Sequence, residues 1–208
     1  MAATKKQAPL NDEDLKMILR CGVPGSFWPH DTVTLCIVRT KDGRVLSRKS
    51  YKCSGGDASA HTEMQFLADM ENSAELDTHF REILLSGNYS PCAGCADKLC
   101  QWIEKHHSNV SLTIQFAHLY NVYVHHDAKE NAQGLRKMRE GGIKLRALSA
   151  YDWLQFLLLD RGFAAKDDWI AKRKQADETN SSVLKEVLDS TGDGLELDET
   201  LKKLQRLS

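Results

Sequence analysis

The chain predicts an α/β fold, a mixed β-sheet flanked by helices, and three observations carry that prediction. Helical and strand periodicities alternate along its 208 residues. Two alternating apolar runs, Thr32 to Arg39 and Val45 to Tyr51, flank Lys41-Asp42-Gly43, a hairpin signal that pairs them antiparallel. Two later runs, Ser111 to Leu119 and Ile143 to Leu148, are joined through a helical segment, and a crossover helix implies parallel neighbours.

In chain order, the first ten residues read as a polar tail. Asp12 to Arg20 follows as a short helix capped by Asn11 or Asp12. Cys21 to Asp31 mixes Gly and Pro with the adjacent aromatics Phe27 and Trp28, which places apolar rings on a surface loop. After the hairpin come a helix through Met64 to Met70, a strand, and a helix from Ala96 to Lys105, with Pro91 suited to the first helical position. Strand 111–119 leads to a helix over Lys129 to Glu140, then strand 143–148 and a helix over Tyr151 to Leu159 whose apolar positions suit burial. The expected organisation is an N-terminal tail and short helix over 1–20, a main domain over 21–175 and a C-terminal helical extension over 176–208. Gln175 to Gly194 is polar, and Asp189 to Gly194 begins like a calcium loop. It lacks the closing Glu, because the twelfth position is Thr200, so a linker is the better reading. Leu195, Leu197, Leu201, Leu204 and Leu207 follow at helical spacing, suited to packing on the domain or a partner helix and similar to a leucine-rich export signal.

A chain of this length fills one well-packed core. No apolar run is long enough to span a bilayer and no signal segment opens the sequence, so an intracellular protein without membrane partners is expected. Six cysteines lack the density of a secreted disulfide scaffold. The net charge of −1 is low for a protein that meets phosphates. Basic clusters nevertheless stand at Arg44, Arg48, Lys49 and Lys52, and at Arg136, Lys137, Arg139, Lys144 and Arg146; each suits either a nucleic-acid patch or a solvated face.

The chemistry is concentrated in His61-Thr62-Glu63 and, after 27 intervening residues, Pro91-Cys92-Ala93-Gly94-Cys95. One His and two Cys supply the three protein ligands of a catalytic zinc site and leave the fourth position open. Zinc lowers the pKa of the water it binds, providing a hydroxide nucleophile near neutral pH. Glu63, two residues from a ligand and not itself one, is the candidate proton shuttle. Both halves of the motif should open helices, where the N-terminal dipole favours thiolates. A structural zinc site would need a fourth ligand. Cys100, five residues past Cys95, lies on another helix face and reads as a small apolar residue. The pattern H-x-E…P-C-x-x-C is the general signature of zinc-dependent nucleobase deaminases.

Beyond the metal motif, Asn88-Tyr89-Ser90-Pro91-Cys92, Ala117-His118-Leu119-Tyr120, Gly134-Leu135-Arg136-Lys137-Met138 and Gly142-Ile143-Lys144-Leu145-Arg146 resemble the AID/APOBEC family of polynucleotide cytidine deaminases over roughly residues 32 to 160. The resemblance implies a cytidine-deaminase-like three-layer fold with a five-stranded mixed sheet. It implies that His61, Cys92 and Cys95 hold Zn2+ and that Glu63 is catalytic. It further implies that Ser90 meets the cytosine amine, that Tyr89 and Tyr120 wall the flipped base, and that Thr32 and His30 touch the nucleic-acid backbone. Two features depart from the family. No Asn lies between Asn11 and Asn72, where members commonly hold the target sugar with one; Gly55, Gly56 and Asp57 occupy that loop. The segment after Tyr120 is long and holds Tyr123, His125 and His126, suited to a neighbouring base or to an exposed polar loop.

The expected function is zinc-dependent deamination of cytosine to uracil in single-stranded nucleic acid, DNA ahead of RNA. A free cytidine or nucleotide deaminase and an inactive, zinc-stabilised binding protein are the alternatives.

Overall fold

A computed structural model of the chain describes residues 12–26, 28–54, 60–72, 80–122, 126–149, 151–152 and 167–190. The polar tail, the loop holding Gly55 to Asp57, Tyr123, His125, the segment 153–159 and the leucines beyond 194 lie outside them.

Five strands form one sheet: β1 (Thr32–Thr40), β2 (Val45–Cys53), β3 (Arg81–Tyr89), β4 (Val110–His118) and β5 (Lys144–Ala147). Their order is β2-β1-β3-β4-β5. Five helices accompany them among the described residues: α1 (Asp12–Arg20), α2 (Thr62–Glu71), α3 (Ala93–His106), α4 (Ala128–Glu140) and α5 (Asp167–Asp189). The hairpin reading holds, with β1 and β2 antiparallel and the Gly43 N–H donating to the Thr40 carbonyl at 2.9 Å. The crossover reading holds too, since β4 and β5 run parallel through α4; β3 and β4 also run parallel, through α3, while β1 is antiparallel to β3.

Alternation of side chains splits the core into two. Cys36 and Val38 of β1, with Ile83, Leu85, Leu112, Ile114 and Phe116, face α2, α3, α4 and the Val183-Leu184-Val187 end of α5. Val33 and Leu35 face the other way, onto Leu15, Ile18 and Leu19 of α1. Residues 33 to 38 are therefore buried on both faces, as befits an inner strand with a layer on each side. Gly134 lets α4 approach α3 closely, because a Cβ there would stand 3.0 Å from that of Ala96.

Helix α5 runs without interruption across residues 175 and 176, the expected boundary between the main domain and a C-terminal extension. Its inward face carries Arg173, Asp177 and Asn180 beside Ala176, Val183, Leu184 and Val187. Arg173 is fully buried. It pairs with Asp177 at 2.6 Å and donates to the carbonyls of Leu19 (3.3 Å), Cys21 (2.6 Å) and Ala117 (3.1 Å). Asn180 donates to the same Ala117 carbonyl at 3.1 Å. One guanidinium thus ties α5 to the last carbonyls of α1 and to the end of β4, satisfying acceptors that have no other route to water. Arg173→Ala is expected to lower stability in urea unfolding by about 3–5 kcal/mol, since it breaks the buried ion pair with Asp177 and removes the guanidinium donor from the Leu19 and Cys21 carbonyls, while Asn180 still serves Ala117. A loss below about 1 kcal/mol would show that the clamp is not holding the layers together.

The second basic cluster is largely engaged within the fold. Lys137 pairs with Asp97 (2.5 Å), Arg139 with Asp189 (3.2 Å) and Arg146 with Asp152 (2.5 Å), while Arg136 donates to the Val187 carbonyl (3.1 Å). In the first cluster, Lys49 pairs with Asp69 (2.7 Å) and Lys52 with Asp31 (3.7 Å). With Lys137, Arg139 and Arg146 exposed but paired, the second cluster fits a solvated face better than an open phosphate patch.

Candidate active site

The parallel strands β3 and β4 deliver their C-terminal ends, and antiparallel β1 its N-terminal end, to one edge of the sheet. Helices α2 and α3 begin at that edge. Crevices at the carboxyl ends of parallel strands are where α/β sheets bind ligands.

His61 is the residue immediately before α2 and Cys92 the residue immediately before α3, both extended just ahead of the first helical turn. This corrects the expectation for Pro91: the helix opens at Ala93, so the proline stands one residue before the cap and stiffens the approach instead of starting the helix. Cys95 is the third residue of α3 and is buried. The three donor atoms lie within 4.8 Å of one another. His61 Nδ1 is 3.3 Å from Cys95 Sγ and 3.6 Å from Cys92 Sγ. Zinc bonds of about 2.0 Å to nitrogen and about 2.3 Å to sulfur at a tetrahedral angle put N and S about 3.5 Å apart, so the donor set fits zinc in both type and spacing. Cys92 shares a proton with Cys95: the hydrogen bond from Cys95 holds the Cys92 thiol low and the Cys95 thiol high, which readies Cys92 as a thiolate. Among the described residues no fourth His, Cys or acidic ligand joins them. Cys100 is half-buried against the main core, as expected of a small apolar residue.

Glu63 follows His61 by two residues on the first turn of α2 and is 7% exposed. Burial, followed by the charge on Cys92, holds its carboxyl above the usual carboxylate range. An acid raised in this way takes up and gives back a proton more readily at neutral pH than one at its ordinary value.

Ser90 is buried where β3 ends. Its N–H donates to the His118 carbonyl and its Oγ accepts from the Tyr120 N–H, each at 2.9 Å, so it locks the ends of β3 and β4 together. Tyr89 and Tyr120 meet edge to face with ring centroids 5.9 Å apart. Tyr120 is 38% exposed, whereas the Tyr89 hydroxyl donates to the Pro29 carbonyl at 2.9 Å and so anchors the 21–31 loop. Thr32 opens β1, flanked by the Asn88 side chain, which donates to the Asp31 carbonyl (2.8 Å) and accepts from the Val33 N–H (2.9 Å). His30, between Pro29 and Asp31, is exposed and lines a groove with Lys16, Met17 and Arg20 of α1. His126 is 2.9 Å from Asp127 on the surface.

Several residues that build the site escaped the sequence reading. Asn131 of α4 accepts from the Ala93 N–H at 2.8 Å, satisfying a free donor at the start of α3, and donates to the Asn121 carbonyl at 3.3 Å. Its signal is a polar residue on the buried stripe of α4 beside Ala132, Leu135 and Met138. Asn121 itself turns the chain after Tyr120 with φ +43°, a conformation Asn tolerates better than most. Trp28, expected on a surface loop, is 46% exposed there; the unexpected part is that it meets His118 edge to face at 4.6 Å, where burial holds the imidazole at about 4, hence neutral at pH 7.

Residues 14–194 match the family described as Invertebrate-AID/APOBEC-deaminase. The chain is 28% identical over 112 residues to the C->U-editing enzyme APOBEC-1 of Mesocricetus auratus, covering 51% of this chain and 47% of that one. It is 27% identical over 125 residues to the C->U-editing enzyme APOBEC-1 of Oryctolagus cuniculus, covering 58% and 51%. With the human C->U-editing enzyme APOBEC-1 it shares 25% over 109 residues, covering 52% and 44%. The chain thus spans about half the length of the curated relatives it matches. With the family match running from α1 through α5 and over every residue of the metal motif, the chain belongs to the invertebrate AID/APOBEC deaminase family.

Proposed function

We propose that this chain is a zinc-dependent cytosine deaminase acting on single-stranded nucleic acid, with DNA the first substrate. The convergence of His61, Cys92 and Cys95 donors within 4.8 Å, with the buried Glu63 carboxyl beside them, carries the reading. When bound there, zinc supplies the hydrolytic nucleophile and Lewis acidity at neutral pH. Glu63 takes a proton from the attacking water and gives it to the ring nitrogen of cytosine, then takes the hydroxyl proton of the resulting C4 adduct and gives it to the departing amine, which leaves as ammonia; a carboxyl raised by burial suits it to carry both protons. Tyr89 and Tyr120 offer flat faces to an unstacked base, and the rigid β3–β4 junction at Ser90 supports backbone groups for its exocyclic amine. Editing of C to U, the activity in the relatives' names, is this same conversion of the base. All six cysteines are free, which accords with an intracellular setting.

The low net charge and the internal pairing of Lys137, Arg139 and Arg146 favour a second reading, a deaminase of free cytidine or a nucleotide. Salt separates the two. For a polymer substrate, kcat/KM on a cytosine-containing single-stranded oligonucleotide should fall several-fold or more between 50 and 200 mM salt, about as a power law in salt, with free cytidine turned over poorly or not at all. Equal turnover of free cytidine, indifferent to salt, would favour the second reading.

A further inference from the structure

Thr62 lies between a metal donor and the candidate proton shuttle, and its environment is not that of a packing residue. It is fully buried at the first position of α2. Its Oγ1 donates to Glu63 Oε2 at 3.2 Å and stands 2.8 Å from Thr34 Oγ1, itself on a residue 4% exposed in β1. A hydroxyl has one proton to give. With the Thr62 proton directed at the carboxylate, the Thr34 hydroxyl is the donor in the second bond, and the two form a directed chain from β1 to Glu63. Gly87 faces Thr34 across the β1–β3 ladder. A Cβ at Gly87 would stand 3.0 Å from the Tyr89 carbonyl oxygen and 3.3 Å from Thr34 Oγ1, so the glycine keeps room for the hydroxyl where it is.

We infer that Thr62, backed by Thr34 and Gly87, is the positioning residue that fixes the Glu63 carboxylate for proton transfer. The inference rests on the deaminase reading above. A shuttle that serves two transfers must present an oxygen in the same place twice, and a buried carboxyl has no water shell to steady it. Beside the contacts of the carboxyl with its own backbone N–H and with Cys95, the hydrogen bond to Oε2 comes from outside the metal set and opposes rotation about the carboxylate axis. Hydrophobic packing alone would ask only for the methyl group, and a valine would serve it equally well.

The test compares Thr62→Val, which keeps shape and loses the hydroxyl, with Thr62→Ser, which keeps the hydroxyl and loses the methyl, each zinc-loaded and beside wild type. Thr62→Val should lower kcat by about 10–100-fold with KM and zinc content unchanged, the usual scale for losing a group that orients a catalytic side chain. Thr62→Ser should recover most of that loss. Thr34→Val should lower kcat in the wild-type background and add little to Thr62→Val, because both act through one bond. A readout independent of turnover is the urea midpoint: Thr62→Val should lower it more in wild type than in the Glu63→Ala background, where only the bond with Thr34 remains to be lost. A Thr62→Val enzyme within twofold of wild type, a serine variant as impaired as the valine, or equal midpoint shifts in both backgrounds would each overturn the inference. Wild-type protein that deaminates no cytosine substrate would instead reject the deaminase reading, and the midpoint comparison would still report on the hydrogen bond.

Discussion

Glu63→Ala is expected to retain zinc and fold while losing deamination by about 10²–10⁴-fold or more, the range of a positioned proton-transfer group. The carboxylate is not one of the three converging donors, so its removal leaves the metal set whole. Its cost to stability should be small, for a reason visible in its surroundings. Burial disfavours the charged form of Glu63, so the fold already bears a penalty for holding an acid there, and losing it offsets the small cavity the alanine leaves. Zinc by elemental analysis, the urea midpoint and uracil yield from one preparation give the answer. Loss of zinc together with activity would make Glu63 a ligand and not a shuttle.

Cys92→Ala is expected to have the larger structural effect. Cys92 caps α3 and His61 precedes α2, so a metal held by both would join the starts of two helices that come from segments 31 residues apart in sequence. Zinc content should drop from about one per chain to near zero in the variant after dialysis, since two remaining ligands hold zinc far more weakly than three. Thermal stability should fall to that of chelator-treated wild type and respond no further to chelator. A variant that keeps stoichiometric zinc would place the metal elsewhere.

Local signals account for what the sequence made legible. The Lys41-Asp42-Gly43 turn, the bounds of α1 and the crossover through α4 each depend on residues close together in the chain, and the structure has them as expected. The metal motif was legible for a different reason: few chemistries need one His, one Glu and two Cys at that spacing. Residues whose roles depend on distant partners stayed hidden. Arg173 reaches Leu19 across 154 positions, and nothing near it in sequence distinguishes a buried clamp from a solvated charge. Its polar companions Asp177 and Asn180 also interrupt the apolar stripe of Ala176, Val183, Leu184 and Val187, which made the first half of α5 hard to see. Thr62 was read only as the spacer between His61 and Glu63, because its second partner, Thr34, belongs to another element. His30 was expected on the nucleic-acid path by resemblance, and its groove along α1 gives it neighbours that the motif does not specify.

Uracil formation in a cytosine-containing single-stranded DNA oligonucleotide, by purified zinc-loaded protein with Glu63→Ala in parallel, tests the central claim most directly. Product from wild type and none above background from the variant is the predicted result. No product from zinc-loaded wild type on DNA, RNA or free cytidine, or equal product from both proteins, would contradict it.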